Sequence, residues 1–348
     1  MIYALVGGAF MKKISHDVEL TTAEIANLWT QYINDSLSIC ILTHSIEKAK
    51  DEDIKEVLYF SLSIAETHIT KITDFFTQEN LPIPKGFSVE EDVNLNAPSI
   101  FTDAFIIAYL HIMTLLGLTG YAGAVSTSSR ADQLDYFIQC NKETMELHKR
   151  IVSIMLNKGF YSKTARINTP EQVKFVDNQS YLAGWFGKKR PLNAIEISGM
   201  SFNMKKDVVK TVLELGFAQV CQTKDIQKYF ERGKKICLNH FTTFNTILTK
   251  EDLSSPKTWV SEVTNSTVSP FSDKLMLYHI VTLVSSAVGY YGAGLSVSQR
   301  RDIAAEYTKF MAEVGLYAED GCELLIKYGW LEQPPLADNR QTLANNKE

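Results

Sequence analysis

Apolar residues recur along the chain with the period of an α-helix. Residues 22–48 place a set of them on one helical face, namely Ile25, Leu28, Trp29, Tyr32, Ile39, Leu42 and Ile46. The same spacing predicts helices over 52–78, 100–125 and 129–158, the last ended by Gly159. Residues 194–328 repeat the whole series, and no stretch alternates apolar and polar residues as a strand does. The pattern therefore predicts an all-α protein.

The predicted connections differ in length. Short loops join the first helix to the second and the third to the fourth, whereas residues 81–98 form a long, proline-containing crossover. A crossover of that length can run along a bundle from end to end, which is the single-crossover topology of ferritin-like bundles. We therefore expect two tandem ferritin-like four-helix bundles, each with a long crossover between its second and third helices.

The chain contains two copies of one sequence pattern. Leu20–Phe87 aligns without a gap to Leu192–Trp259, and Ser99–Phe160 aligns without a gap to Ser269–Trp330. Because both copies predict the same helices, we expect similar bundles related by a pseudo-two-fold axis. The predicted organisation is an N-terminal extension (1–19), a first bundle (20–159), a linker (160–191), a second bundle (192–330) and a tail (331–348).

Charge and cysteine content narrow the class of protein. The chain has 35 basic and 40 acidic residues, and its longest basic run is 188–190, so it lacks the electrostatic footprint of a nucleic-acid-binding protein. Its five cysteines form an odd set without a CxxC motif. We expect reduced thiols in a cytoplasmic protein.

Two predicted helices have the length of a membrane span. Residues 104–125 and 275–297 contain no Asp, Glu, Lys or Arg. Polar residues and glycines lower the hydrophobicity of both helices, and their amphipathic neighbours need an apolar partner. Both observations favour buried bundle helices over membrane insertion.

Residues 1–10 are apolar but have no basic region before them, so they do not match a signal peptide, and Met11 is a candidate natural start.

Several recurring polar residues have a structural explanation. Thr21-x-x-Glu24 and Asn193-x-x-Glu196 have the spacing of N-terminal capping boxes. Arg130 and its equivalent Arg300 lie at predicted helix N-termini, where the helix dipole disfavours a cation. We expect an inter-helix ion pair with Glu24 in the first copy and with Glu196 in the second.

Three recurring pairs of residues resist that explanation. They are Asp35/Asp207, His68/His240 and Glu143/Glu313. At a rise of about 1.5 Å per residue, the three members of each copy lie at one height on three different helices. Two carboxylates and an imidazole that converge inside a bundle can bind a divalent metal. The structural alternative, a buried histidine held by two acids, is the interpretation that we favour.

The spacing does not fit a di-iron oxidase, which needs a Glu-x-x-His motif on each of two helices. The second predicted helix instead carries Glu66-x-His68, and Leu238 replaces Glu66 in the second copy.

Glycines crowd the third predicted helix of each copy, at Gly117, Gly120, Gly123, Gly289, Gly292 and Gly294. Because glycine destabilises a helix interior, these positions indicate close helix packing, the favoured interpretation, or a groove for a hydrophobic ligand.

Several short segments are shared with a known family. They are PIPKGF (82–87), DVN (92–94), RPLNAIE (190–196), PFSDKLM (270–276) and GWLEQPP (329–335). Over residues 20–335 the chain resembles the Bacillus-type family known as domain of unknown function 3231. The resemblance implies a duplicated ferritin-like bundle, distantly similar to spore-coat F-type proteins, in a spore-forming bacterium. It implies no activity and no catalytic residues.

Three functions follow as hypotheses. The first is a non-enzymatic binding or assembly protein of the cytoplasm, associated with the sporulating cell or spore, whose partners are copies of itself or spore proteins. The second is a metal-binding ferritin-like protein, for redox chemistry or storage, with Asp35, His68 and Glu143 or their equivalents as ligands. The third is a carrier of a small hydrophobic ligand.

Overall fold

A computed structural model describes residues 18–185 and 189–345. The first half contains α1 (Thr22–Lys48), α2 (Glu52–Gln78), the single-turn α3 (Val89–Asp92), α4 (Asp103–Thr127) and α5 (Ala131–Asn157). The second half contains α6 (Ala194–Val220), α7 (Lys224–Thr249), α8 (Asp273–Val297), α9 (Arg301–Lys327) and a short α10 (Arg340–Asn345). Gly159 and Gly329 follow α5 and α9 with φ of 70° and 67°, the left-handed conformation that ends a helix.

The eight long helices form two four-helix bundles, which confirms the predicted fold class. In the first bundle α1 packs on α2 and α4 on α5, and contacts of α1 with α4 and of α2 with α5 join the two pairs. The second bundle repeats this with α6, α7, α8 and α9. Most of the predicted N-terminal extension, including Met11, and residues Phe186 and Lys188 of the predicted linker lie outside the described residues.

Glu24 is an anchor shared by two helices. Its carboxylate closes the predicted capping box of α1, accepting the backbone N–H of Thr21 at 2.8 Å. Its other oxygen accepts the backbone N–H groups of Ser129 and Arg130, each at 2.8 Å, at the start of α5. Burial acts to raise the pKa of Glu24, but these backbone hydrogen bonds outweigh it and lower the pKa to about 2.

The predicted ion pair between the side chains of Arg130 and Glu24 is wrong, although the two residues are in contact through the backbone of Arg130. The guanidinium of Arg130 binds Glu79 at 2.5 Å and Asp132 at 2.7 Å, whereas Glu24 binds the backbone of Arg130. In the second copy Arg300 likewise binds the acids Glu251 and Asp302, and its backbone N–H binds Glu196. In each copy the glutamate carboxylate accepts backbone N–H groups at the start of another helix, because these N–H groups have no acceptor within their own helix.

The two crossovers pair with each other across the molecule. The backbone N–H of Thr102 donates to the carbonyl of Glu262 at 3.0 Å, and that of Ser272 donates to the carbonyl of Asp92 at 2.9 Å. The side chains of the same residues also form hydrogen bonds: Thr102 Oγ1 donates to Glu262 at 2.7 Å, and Ser272 Oγ donates to Asp92 at 2.6 Å. Thr102 is equivalent to Ser272, and the bridges Val93 to Phe271 and Phe101 to Val263 relate Asp92 to Glu262 by the same shift. The contacts are therefore reciprocal, as in a two-fold interface.

A pair of equivalent residues meets where α4 faces α8. Tyr109 is equivalent to His279, and its hydroxyl lies 3.2 Å from His279 Nε2. Burial lowers the pKa of His279 to about 4, so the neutral ring can accept the hydrogen bond of the tyrosine. Contact between equivalent positions marks the pseudo-two-fold axis of the molecule.

Among the described residues, α4 and α8 are long and apolar enough to cross a membrane by length and composition. Both are members of the bundles, where 50% of the apolar window of α4 and 28% of that of α8 is buried. The less buried window of α8 partly faces a cavity in the first bundle, described below.

Replacing Asp92 tests the crossover pairing. Asp92→Ala should lower the free energy of unfolding by about 1–3 kcal/mol, because the hydroxyl of Ser272 loses its buried acceptor. Glu90→Ala, an exposed position on the same short α3, is the matched control. Thermal unfolding followed by circular dichroism measures both, and equal melting temperatures would contradict the assigned role of Asp92.

Candidate functional site

The predicted residues of the first copy converge on His68. This histidine lies on the inward face of α2 and is 2% exposed. Its Nδ1 lies 3.3 Å from Asp35 Oδ2 of α1, and its Nε2 lies 2.9 Å from Glu143 Oε2 of α5. The histidine thus contacts both acids directly, the arrangement expected of a buried imidazole that needs charged partners.

Sequence reasoning missed three further members of this cluster. The amide nitrogen of Gln31 donates to Asp35 Oδ2 at 3.1 Å and to the hydroxyl of Tyr121 at 3.3 Å. Cys140 lies one helical turn before Glu143, and the ligand atoms of His68, Cys140 and Glu143 are all within 4.8 Å of one another. The spacing of Cys140 and Glu143 was the available signal, since residues three apart share a helix face.

The second copy uses the equivalent residues differently. His240 Nε2 lies 2.9 Å from Glu313, as in the first copy, but the hydroxyl of Tyr291 stands between His240 and Asp207. That hydroxyl donates to Asp207 at 2.6 Å and lies 3.0 Å from His240 Nδ1. The ring of Phe310, which takes the place of Cys140, stacks on His240 at 3.8 Å. The equivalent acids therefore surround His240 without both touching it.

The two histidines differ in charge, because only His68 is in direct contact with an aspartate. Burial acts to lower the pKa of His68, but Asp35 and Cys140 outweigh it and raise the pKa to about 11. Burial lowers the pKa of His240 to about 4, although Glu313 opposes the shift. Burial also raises the pKa of Asp207 to about 7, against the hydrogen bond from Tyr291. At neutral pH the first copy holds an imidazolium, and the second holds a neutral imidazole.

A cavity of about 710 Å³ occupies the first bundle beside Asp35 and His68. It lies between α1 and α4, reaches α2 and α5 in the bundle interior, and is bounded on its far side by α8 of the second bundle. Its lining is mainly apolar, and exposed residues of that lining, Thr30, Gly120 and Ser285, connect it to the surface. Among the described residues, no lysine or arginine lines it.

In the second bundle, aromatic side chains close the equivalent entrance. Phe202 and Tyr290 stand where the first copy has Thr30 and Gly120, and their rings meet edge to face at 5.5 Å. Lys206 Nζ lies 3.5 Å from the centre of the Tyr290 ring, a cation–π contact that holds the pair together. Outside this closure an open groove of about 480 Å³ runs along α6 and α8.

The interior of the second bundle is filled by a polar network. Lys210 Nζ donates to Glu214 at 2.7 Å, and the hydroxyl of Tyr317 donates to the same carboxylate at 3.0 Å. The first copy has the smaller Ser38, Leu42 and Leu147 at these three positions. A Cβ at Gly233 would collide with Glu214 and Tyr317, so glycine here makes room for them. Large residues thus occupy in one copy the space that forms the cavity in the other.

The helical glycines fall into two groups, those in close contact with another helix and those beside open space. A Cβ at Gly294 would lie 2.5 Å from the ring of Tyr307, so this glycine permits close packing. A Cβ at Gly120 or Gly123 would meet nothing within 4 Å, and Gly117 and Gly120 line the cavity. In the first bundle, glycines of α4 therefore border open space.

Comparisons with known proteins place the repeat within a described family. A model of the family "Protein of unknown function (DUF3231)" matches the chain twice, over residues 9–173 and 180–343, so each match contains one bundle. No curated protein matches the chain at a significant level. A solved structure of a suspected spore coat protein from Bacillus halodurans C-125 is similar to part of it, with 18% identity and a TM-score of 0.37. That similarity covers 45% of this chain and 98% of the other.

Asp207→Asn should stabilise the protein in a pH-dependent way. The raised pKa of Asp207 means that the folded state resists ionisation, so wild type loses stability as pH rises from about 4 to about 7. Asparagine does not ionise, and its advantage in unfolding free energy should grow over that range to roughly 4 kcal/mol. Thermal unfolding between pH 4 and pH 8 measures the difference.

The matched control is Asp35→Asn in the first bundle. It removes the charged partner of His68, and it should lower the melting temperature. A constant effect of Asp207→Asn across the pH range would show that the Asp207 carboxyl does not titrate as assigned.

Proposed function

The chain belongs to the DUF3231 family, and we propose that it binds an elongated, mostly apolar small molecule inside its first bundle. The observation that carries the proposal is the cavity of about 710 Å³, a size within the range of small-molecule sites. On α1 its lining runs from Asn27 to Leu42, which is about 20 Å of helix. A molecule of that length would lie along the bundle axis.

The difference between the copies supports a binding role. The same scaffold closes the equivalent space in the second bundle with Phe202, Tyr290 and Tyr317, so the architecture itself does not require a cavity. Protein interiors are close-packed, and unfilled apolar volume destabilises a core. A ligand that buries apolar surface in the first bundle would recover that stability.

Binding is favoured over catalysis by the engagement of His68. Both of its ring nitrogens contact carboxylates, at 3.3 Å and 2.9 Å, so neither is placed to exchange a proton with a bound molecule. We therefore propose a non-enzymatic carrier or sensor. The long crossover of each bundle supports kinship with ferritin-like proteins. The family resemblance of the sequence supports a place in the cytoplasm of a sporulating cell.

Closing the entrance should abolish ligand binding. Gly120→Tyr introduces the residue that stands at the equivalent position of the second copy, and the space at its Cβ accepts a side chain. We expect at least a tenfold loss of affinity, about 1.4 kcal/mol, for the apolar fluorescent probe N-phenyl-1-naphthylamine. Fluorescence titration of the full chain provides the measurement.

Gly123→Tyr is the matched control for that experiment. Gly123 is another exposed glycine of α4 with open space at its Cβ, but it does not line the cavity. The control should keep the affinity of wild type. Equal affinity of the two variants, or no saturable binding by wild type, would rule out the proposed cavity site.

A second candidate function is binding of one divalent metal ion per chain. It is favoured by the convergence of imidazole, thiol and carboxylate groups at His68, Cys140 and Glu143, with Asp35 beside them. These donors suit Zn²⁺ or Co²⁺, which accept nitrogen, sulfur and oxygen ligands. The ion would displace the proton that His68 carries at neutral pH, because only an unprotonated ring nitrogen can coordinate a metal. We do not extend this proposal to Asp207, His240 and Glu313, because Phe310 replaces the thiol there.

Cobalt titration tests the metal proposal. Wild type should bind about one equivalent of Co²⁺ with thiolate-to-metal absorption in the near ultraviolet, and Cys140→Ala should lose that absorption. Cys40→Ala removes another buried thiol outside the cluster and should behave as wild type. Identical spectra for the two variants would eliminate Cys140 as a ligand.

A further inference from the structure

Building on the proposed function, we infer that the bound molecule is an amphiphile whose polar end is a hydrogen-bond donor without negative charge, an ammonium in preference to a hydroxyl. The inference rests on three features of the cavity wall. They are the orphan acceptor of Gln31, the excess of carboxylate over cation around His68, and the lack of lysine or arginine among the described lining residues.

The first feature is the side-chain oxygen of Gln31. This residue is 6% exposed, lines the cavity, and donates its amide nitrogen to Asp35 and Tyr121. Those contacts fix the orientation of the amide, because its oxygen would be repelled by the carboxylate of Asp35. The oxygen is buried and has no hydrogen-bond partner among the described residues. A ligand donor at this end of the cavity would satisfy it.

The second feature is the local charge. The single imidazole of His68 lies between two carboxylates, those of Asp35 and Glu143, so one basic group faces two acidic groups whether or not the ring is protonated. The cluster therefore carries an excess negative charge beside the cavity, and Asp35 itself lines it. A cationic head group would balance that charge in a poorly hydrated site, whereas a carboxylate or phosphate would add to it.

The third feature is the state of the remaining basic groups. Among the described residues of the lining, His279 is the only other histidine; its Nε2 faces the hydroxyl of Tyr109, and burial lowers its pKa to about 4. Lys206 and Lys210 are engaged inside the second bundle, with Tyr290 and Glu214. An anionic head group would thus find no free cation along the described lining.

The apolar part of the proposed ligand would contact apolar residues of the cavity wall. Leu37, Ile41, Leu110, Met113 and Leu283 line the cavity between α1, α4 and α8. Each methylene that moves from water onto such a surface strengthens binding by about fourfold. A straight alkyl chain about as long as the stretch of α1 from Gln31 to Leu42, roughly 16 Å, would use this wall and leave its head at Gln31 and Asp35.

Three twelve-carbon probes that differ only in their head group test the inference. Dodecylamine, dodecanol and dodecanoate, each below its micelle concentration at pH 7.5, would compete for bound N-phenyl-1-naphthylamine on the full chain. We expect the amine to displace the probe most strongly, the alcohol next, and the carboxylate at least tenfold more weakly than the amine. Dodecanoate that competes as well as dodecylamine would overturn the head-group assignment while leaving the cavity proposal intact.

Asp35→Asn separates the contribution of charge from that of shape. The variant should bind dodecylamine at least tenfold more weakly and keep its affinity for dodecanol, because asparagine retains a hydrogen-bond acceptor. Asp207→Asn, the equivalent change in the second bundle, lies outside the cavity and should leave both affinities unchanged. Equal losses for amine and alcohol in Asp35→Asn would overturn the assigned role of charge. Failure of wild type to bind any probe would overturn the cavity proposal itself.

Discussion

Reciprocal pairing of the two crossovers supplies the polar contacts that join the bundles, whose apolar residues form one shared core. A crossover segment outside the helices has backbone donors and acceptors that need partners once they are buried. Here each crossover supplies those partners to the other, through Thr102 with Glu262 and Ser272 with Asp92. The pairing holds α8 against the first bundle, and α8 forms one wall of the cavity. The shape of the candidate site therefore depends on contacts made by segments that do not enter it.

The two bundles show how neighbours decide the charge of a conserved arrangement of side chains. His68 and His240 occupy equivalent positions and keep the same contact with a glutamate, at 2.9 Å in both copies. The difference comes from whether an aspartate touches the ring or is separated from it by a tyrosine hydroxyl. Burial favours the neutral imidazole, and the contact with a glutamate alone does not overcome it in His240, whereas the added contacts with Asp35 and Cys140 do so in His68. One scaffold thus holds an ion pair in its first half and a hydrogen-bond chain in its second.

Much of the architecture could be predicted from the sequence because it depends on local periodicity. Helix positions, the capping boxes of Glu24 and Glu196, and the convergence on His68 follow from spacing and from the rise of a helix. The partner of Arg130 could not be predicted this way, because the turn before α5 brings the backbone, and not the guanidinium, to Glu24. The cavity depends on the separation of α1 and α4. Its signals in the sequence were the glycines of the third predicted helix and the positions where the copies differ, as at Gly120 and Tyr290.

Because the two halves are encoded separately in one chain, a substitution can change one half alone, which is impossible in a symmetric homodimer. In a homodimer each substitution appears on both sides of the axis, so a residue that closes one pocket closes its twin as well. A chain that carries both halves in one polypeptide can alter them separately while keeping their reciprocal interface. The exchange of Gly120 for Tyr290 and of Leu147 for Tyr317 is of this kind. A cavity in one half and a filled interior in the other is therefore an arrangement that a symmetric homodimer cannot have.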